Sequence, residues 1–342
     1  MRKKIFRKIF ITGASGFIGS HLTESLLKDN YKVRAFVRYT SNKNIGWLSD
    51  IKHHKNLEIF YGDITNYDSV KKGLKGCDAI VNLAAMISVA YSFENPSIFY
   101  DVNVNGLLNI TRASLEQKKI KKILHISSSE VYGNLITKKN TVLNEPDMLD
   151  PESPYAASKI ASESIAISLS KSNKLPIAIA RPFNTFGPRQ SLRAIIPTII
   201  TQMINQNKEK PVLKLGNIKA KRDLVYIDDT ISGLKTILFE KKSIGKVFNI
   251  SYGKSFSIKF FIDQISNYLR KSPRIKTDKS RLRKAEVYNL IGNNKKIKKE
   301  LKWKPKYDTS KSYKEAIIKT INWFKQPKNF AKYKNHINQY NM

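Results

Sequence analysis

Two short stretches of the chain carry side chains whose types and spacing suit proton chemistry. Tyr155 and Lys159, in Tyr155-Ala156-Ala157-Ser158-Lys159, are four residues apart on a predicted helix and so share one face. A lysine cation beside a phenol lowers the phenol pKa towards a value useful for exchanging a hydroxyl proton near neutrality. Upstream, Ser127-Ser128-Ser129-Glu130-Val131-Tyr132-Gly133 places a carboxylate just beyond serines able to polarise a hydroxyl. The serines would polarise that hydroxyl, and the carboxylate would add a proton abstraction. A Tyr-x-x-x-Lys spacing alone is common in helices; its place after a strand ending in serines gives it weight. A structural acid is the alternative for Glu130.

A third stretch offers a place for a dinucleotide. Thr12-Gly13-Ala14-Ser15-Gly16-Phe17-Ile18-Gly19 follows the first predicted strand and opens the first helix. Glycines at such a turn let backbone N–H groups approach a pyrophosphate, and the helix N-terminus adds partial positive charge. Gly13, Ser15, Gly16, Phe17, Ile18 and Gly19 are therefore the candidate cradle, in a G-x-x-G-x-x-G spacing one residue longer at the front than G-x-G-x-x-G. The second strand ends in Ala35-Phe36-Val37-Arg38-Tyr39-Thr40, with no carboxylate for the adenosine ribose. Arg38 there tilts the choice towards NADP without excluding NAD, the alternative being a solvated strand-end cation. Asp63, in Gly62-Asp63-Ile64, would face the adenine amino group or serve a turn. Leu83, Ala84 and Ala85 offer small residues or backbone close to the cofactor.

The elements that must position these groups alternate along the first half. Strands are predicted at Lys8–Thr12, Lys32–Arg38, Leu57–Tyr61, Ala79–Leu83, Lys121–Ser127 and Pro176–Arg181, with helices at Gly16–Asn30, Ser97–Lys118 and Ser153–Asn173. Strand-helix-strand order implies parallel pairing, hence an α/β fold with a doubly wound Rossmann-type sheet. Past Pro182 the rhythm breaks. Residues 1–185 are expected to form the dinucleotide-binding domain, with a return of chain around 224–250. Residues 186–325 would be mainly a smaller α/β substrate lobe, and 326–342 a basic tail without a helical face, loosely held.

Composition narrows the classes. The chain has 342 residues, 41% of them hydrophobic and spread along its length, which suits a globular protein. Cys77 is the only cysteine, so a reducing, cytoplasmic setting is expected. No run reaches the ~18 apolar residues of a membrane span. The net charge of +35 raises nucleic-acid binding, but the lysines are dispersed and no recognition motif accompanies them. Such a field instead favours anionic substrates. His21, His53, His54 and His125 lack ligand spacing, and no metal is implied.

Together these motifs resemble the extended short-chain dehydrogenase/reductases of the NAD-dependent epimerase/dehydratase family, over roughly residues 8–325. The resemblance implies an enzyme acting on nucleotide sugars, with Ser128, Tyr155 and Lys159 as its triad and Asn103, in Val102-Asn103-Val104-Asn105-Gly106, supporting the site. Ser128-Ser129-Glu130 is similar to the GDP-mannose dehydratase pattern. UDP-glucuronate decarboxylases share the Ser-Glu, whereas simple 4-epimerases usually lack the glutamate. Val33–Ser41 followed by Gly46-Trp47-Leu48, with Arg181–Ser191, resembles the N-acetylglucosamine-nucleotide 4,6-dehydratases of legionaminic acid pathways. By that likeness Asn184, Arg189, Arg222 and Arg281 would hold the UDP- or GDP-linked sugar. A homodimer through the helices around 97–118 and 153–173 is expected.

Overall fold

The predicted strands of the first half form within a residue of their expected bounds in the computed structural model of the chain, which describes residues 5–135, 142–281 and 289–340. They are β1 (Lys8–Thr12), β2 (Lys32–Arg38), β3 (Leu57–Gly62), β4 (Ala79–Asn82), β5 (Lys122–Ile126) and β6 (Ile177–Pro182). Short strands follow: β7 (Asn184–Phe186), β8 (Val212–Leu215), β9 (Lys221–Arg222), β10 (Leu224–Tyr226) and β11 (Val247–Ile250). The central sheet has seven parallel strands in the order β11-β6-β5-β4-β1-β2-β3. Within 224–250 only β11 rejoins this sheet, Val247 lying opposite Ile179. β10 instead pairs with β7, Leu224 opposite Asn184.

The helices are α1 (Phe17–Lys28), α2 (Tyr67–Leu74), α3 (Val89–Glu94), α4 (Pro96–Tyr100), α5 (Gly106–Gln117), α6 (Pro154–Ser172), α7 (Ile195–Ile204) and α8 (Ile227–Phe239). Beyond them come α9 (Ile258–Leu269), α10 (Lys295–Leu301), α11 (Ser310–Lys325) and α12 (Pro327–Tyr340). Side chains alternate across a strand, and β1 shows the result. Ile9 and Ile11 join the core under α1 and α8, while Phe10 joins the one under α2, α5 and α6. Helices thus cover both faces, which is why β4 and β5 are buried throughout.

Two expectations are corrected. The single helix expected over 97–118 is broken by a π-helical turn at Asp101–Asn105 between α4 and α5. Such a turn carries an extra residue and re-aims side chains, often at functional sites. The stretch beyond Gln326, expected to be a loosely held tail, is helical in α12. Pro327 suits a first helical turn. Tyr333 is buried and stacks on Phe324 at 5.8 Å, so a few aromatics supply a face that a sparse pattern hides.

One buried network ties α6 to the sheet. Arg181 on β6 donates from Nε and Nη2 to Glu163 on α6 at 2.9 and 2.6 Å, and from Nη1 to the Tyr132 hydroxyl at 2.8 Å. The Tyr132 hydroxyl donates in turn to Asn249 Oδ1 on β11 at 2.8 Å. Both charges are almost fully buried, so removing one leaves the other uncompensated. Arg181→Met should cost about 3–5 kcal/mol in urea denaturation. Adding Glu163→Gln to that variant should recover part of the loss, because the stranded charge is then gone.

Candidate active site

β1 and β4 are neighbours whose chains continue to opposite sides of the sheet, so a crevice opens beyond their C-terminal ends. Gly13 turns there with φ +65°, and a Cβ on it would lie 2.8 Å from the Ala84 nitrogen and 2.9 Å from the Leu83 carbonyl carbon. A Cβ on Gly19 would lie 2.1 Å from the Gly13 oxygen. Both glycines are therefore demanded by close backbone approach. Gly16 caps α1 without any side-chain hydrogen bond, which leaves first-turn amides such as those of Phe17 and Ile18 for an anion. The Ser15 carbonyl accepts the Trp47 amide at 3.2 Å. At the end of β5, Ser127 Oγ is buried without a hydrogen-bond partner among the described residues. The glycine cradle, the uncapped helix end and this orphaned hydroxyl fit a dinucleotide.

Other candidates for that group fall nearby in sequence but differ in what they touch. Arg38 is exposed and ends β2 opposite Gly62. Asp63 Oδ1 accepts from the Thr65 backbone N–H at 2.9 Å and its hydroxyl at 2.8 Å, so its side chain serves a turn. Ile64 is buried against Gly106, and Ala85 follows directly on the Leu83–Ala84 crossing.

The triad residues meet where β5 and α6 come together. Ser128 caps the short 3-10 turn Ser129–Tyr132, its hydroxyl accepting from the Glu130 amide at 3.1 Å. The Ser128 hydroxyl lies near enough to the Tyr155 phenol to favour its ionised form. Ser129 is buried and Glu130 half-buried. Here the expected electrostatics are corrected. Burial pushes the Tyr155 phenol up to about 12, with the Glu130 charge adding to the rise and Ser128 opposing it. Lys159 faces away from that balance, donating to the Ile126 carbonyl at 2.9 Å. Burial lowers its own pKa to about 8, while the charge of Glu163 holds it up.

Asn103, on the π turn, accepts from the Met86 amide at 2.8 Å and donates to the Met86 carbonyl at 3.1 Å and to Ser158 Oγ at 2.9 Å. It fastens the segment after β4 to α6. A second link was not anticipated from sequence. The Ala84 amide donates to Thr12 Oγ1 at 3.0 Å, Thr12 to Asn82 Oδ1 at 2.7 Å, and Asn82 pairs with His125 Nδ1 at 3.2 Å. His125 Nε2 meets Ser162 Oγ at 3.0 Å, and Ser162 donates to the Lys159 carbonyl at 2.8 Å. Because Ser162 spends its proton on Lys159, Nε2 must be the protonated nitrogen. The signal was there as polar residues at the ends of otherwise apolar strands.

The four anchoring candidates are not equivalent. Asn184 is half-buried and opens β7 directly beyond β6. Arg222 is buried on β9 and donates to the Lys221 carbonyl at 2.9 Å. Arg281 is exposed and paired with Asp278 at 3.4 Å, and residues 282–288, which carry its neighbouring motif, lie outside the described residues. The Arg189 guanidinium pairs with Glu24 at 2.6 Å and donates to Ser20 Oγ at 3.2 Å, both on α1. The ion pair gives it a packing role between the lobe and α1. Among the described residues no cluster of His, Cys, Asp or Glu is arranged to hold a metal, and no helix is long and apolar enough to cross a membrane.

A doubly wound parallel sheet with a glycine cradle at its switch point and a Ser-Tyr-Lys site beside it defines an extended short-chain dehydrogenase/reductase, an NAD(P)-dependent enzyme. More narrowly, the chain belongs to the family described as GDP-mannose 4,6 dehydratase, which matches residues 10–316. It is 31% identical to GDP-mannose 4,6 dehydratase 1 of Arabidopsis thaliana, over 95% of this chain and 93% of that protein. It is 34% identical to a dTDP-D-glucose 4,6-dehydratase of Dictyostelium discoideum, over 74% of this chain but only 59% of that protein's length. Among solved structures, the dTDP-glucose 4,6-dehydratase DesIV of Streptomyces venezuelae, with NAD bound, superposes at a TM-score of 0.83 with 26% identity, covering 94% of this chain and 98% of its own. A UDP-glucuronic acid 4-epimerase of Bacillus cereus, also with NAD, superposes at 0.81 with 28% identity, covering 93% and 99%. The family therefore holds nucleotide-sugar dehydratases and epimerases alike.

Two outcomes follow from the geometry. Gly13→Ala should abolish binding of NADPH and NADH alike in a fluorescence titration, since its Cβ would need backbone to move. Burial holds His125 neutral, with a pKa of about 3 against 6.5 unfolded. Stability from that neutral ring is complete above 6.5 and is lost as pH falls from there towards 3. His125→Gln should flatten this acid limb in urea denaturation measured against pH.

Proposed function

We propose that the protein is a nucleotide-sugar 4,6-dehydratase, converting a UDP- or GDP-linked hexosamine to its 4-keto-6-deoxy product. The observation that carries this reading is Glu130, a half-buried carboxylate two residues beyond Ser128 whose charge bears on the Tyr155 phenol. The dehydratases among its relatives and neighbours support it. A nicotinamide dinucleotide, when bound, supplies a reversible hydride acceptor and, oxidised, a positive charge that lowers the phenol pKa. Arg38, where a ribose-binding carboxylate would stand, favours NADP over NAD.

Tyr155 takes the C4 hydroxyl proton while Ser128 holds the C4 oxygen. Lys159 assists by turning its ammonium towards the phenol and the nicotinamide ribose. Once C4 is a ketone, C5–H is acidic, and Glu130 takes that proton. The C6 hydroxyl leaves as water with a proton delivered through Ser129 or Glu130. The hydride removed from C4 would be held by the bound dinucleotide and returned to C6 while a proton adds back at C5, so net redox change is zero and one water is lost. Asn184, Arg222 and Arg281 hold the nucleotide diphosphate. The reading includes a cytoplasmic setting and a homodimer built on α4–α5 and α6, where Tyr100, Leu108 and Leu115 are exposed apolar side chains.

Mass spectrometry after incubation with UDP- and GDP-linked hexoses, N-acetylhexosamines and glucuronate tests the reading: a product lighter by one water supports it. Loss of carbon dioxide, or an unchanged mass at altered retention, would replace it with a decarboxylase or a 4-epimerase. In heavy water, Glu130→Gln should stop deuterium entry at C5 and slow water loss by about 10²–10⁴-fold.

A further inference from the structure

We propose that the start of α12 is a strap over the dinucleotide cradle, and that Tyr333 is a positioning residue that slows cofactor release. This segment lies beyond residues 10–316 that the family matches. Tyr333 is 4% exposed and meets Trp47 edge-on at 5.2 Å and Trp323 at 5.9 Å, besides its stack on Phe324. Its hydroxyl donates to the Gln190 carbonyl at 2.7 Å, and Lys332 pairs with Asp50 at 2.5 Å. These contacts seize two segments flanking α1. One is Gly46–Ile51, where Gly46 at φ +56° lies so close that a Cβ would be 2.7 Å from the Ser15 carbonyl, the same carbonyl that accepts the Trp47 amide. The other is residues 187–190, held to α1 through Arg189 with Glu24 and through His21 with the Pro188 carbonyl.

The helix whose N-terminus is poised for the pyrophosphate is thus gripped on both sides by segments that α12 joins. Ordering a loop before its ligand arrives removes that cost from binding, and opening the loop is needed for release. Slow release suits a cofactor regenerated within each turnover; that purpose rests on the dehydratase reading, whereas the strap itself rests only on dinucleotide binding.

The test is stopped-flow release of NADPH, and of NADH, from the full chain carrying Tyr333→Ala, with hydrogen exchange of the 46–51 and 187–190 amides. Release should quicken by about tenfold, and those amides should exchange faster, while the rest of the sheet keeps its protection. Tyr333→Phe, which keeps the rings and removes only the bond to Gln190, should fall between. Unchanged release and exchange in Tyr333→Ala would overturn the proposal, as would a uniform loss of protection with no change in release. Neither measurement depends on whether any sugar nucleotide is dehydrated.

Discussion

The cradle depends on the close approach of two pieces of backbone, the Gly13 turn and the Leu83–Ala84 crossing, which leave no room for a Cβ between them. Much else is arranged around that crossing. It sets β1 and β4 side by side at the switch point, and it brings the first-turn amides of α1 to the crevice where strand order reverses. Gly19 adds a second close contact by letting α1 press on the same turn. A site built on backbone in this way is stiff, because peptide planes have far fewer ways to yield than side chains have.

Polar chains then carry that stiffness to the chemistry. The run from the Ala84 amide through Thr12, Asn82, His125 and Ser162 ends on the carbonyl of Lys159. Each buried member has a partner, so slippage of one strand would strand a donor or acceptor at about 1–3 kcal/mol. The Glu163–Arg181–Tyr132 network does the same from the other side. It joins α6 one turn beyond Lys159 to the 3-10 turn that holds Glu130. Lys159 and the 3-10 turn that carries Glu130 are therefore held by buried hydrogen bonds from two sides.

What was legible in the sequence follows from range. The strands of the first half and the helices α1 and α6 were legible because burial on two faces leaves β-branched runs, and a crossing helix leaves a 3.6-residue period. The glycine turn was legible because close backbone approach permits few residues. The π turn at Asp101–Asn105 was not, since one extra residue in a helix leaves no compositional mark. Nor was the pairing of β10 with β7, because three-residue strands carry no period. α12 was missed for a different reason: its face is Phe330 and Tyr333 among lysines, and the partners that make it a face, Trp47 and Trp323, are distant or lie on another helix. The pairing of Arg189 with Glu24 was not legible either, because the two are far apart in sequence.

The same long-range logic explains why the phenol could not be judged from its lysine alone. A Tyr-x-x-x-Lys spacing suggests a lowered pKa, yet burial is a property of the whole pocket and outweighs one neighbour whose ammonium points at a carbonyl. Burial drives Tyr155 towards its protonated form and Lys159 towards its neutral form. A pocket with both tendencies resists proton transfer until positive charge is placed against the phenol. Glu163 opposes half of that tendency by holding Lys159 charged. The buried ion pair with Arg181 thus has a second consequence beyond holding α6 in place: it keeps a carboxylate where the lysine needs one.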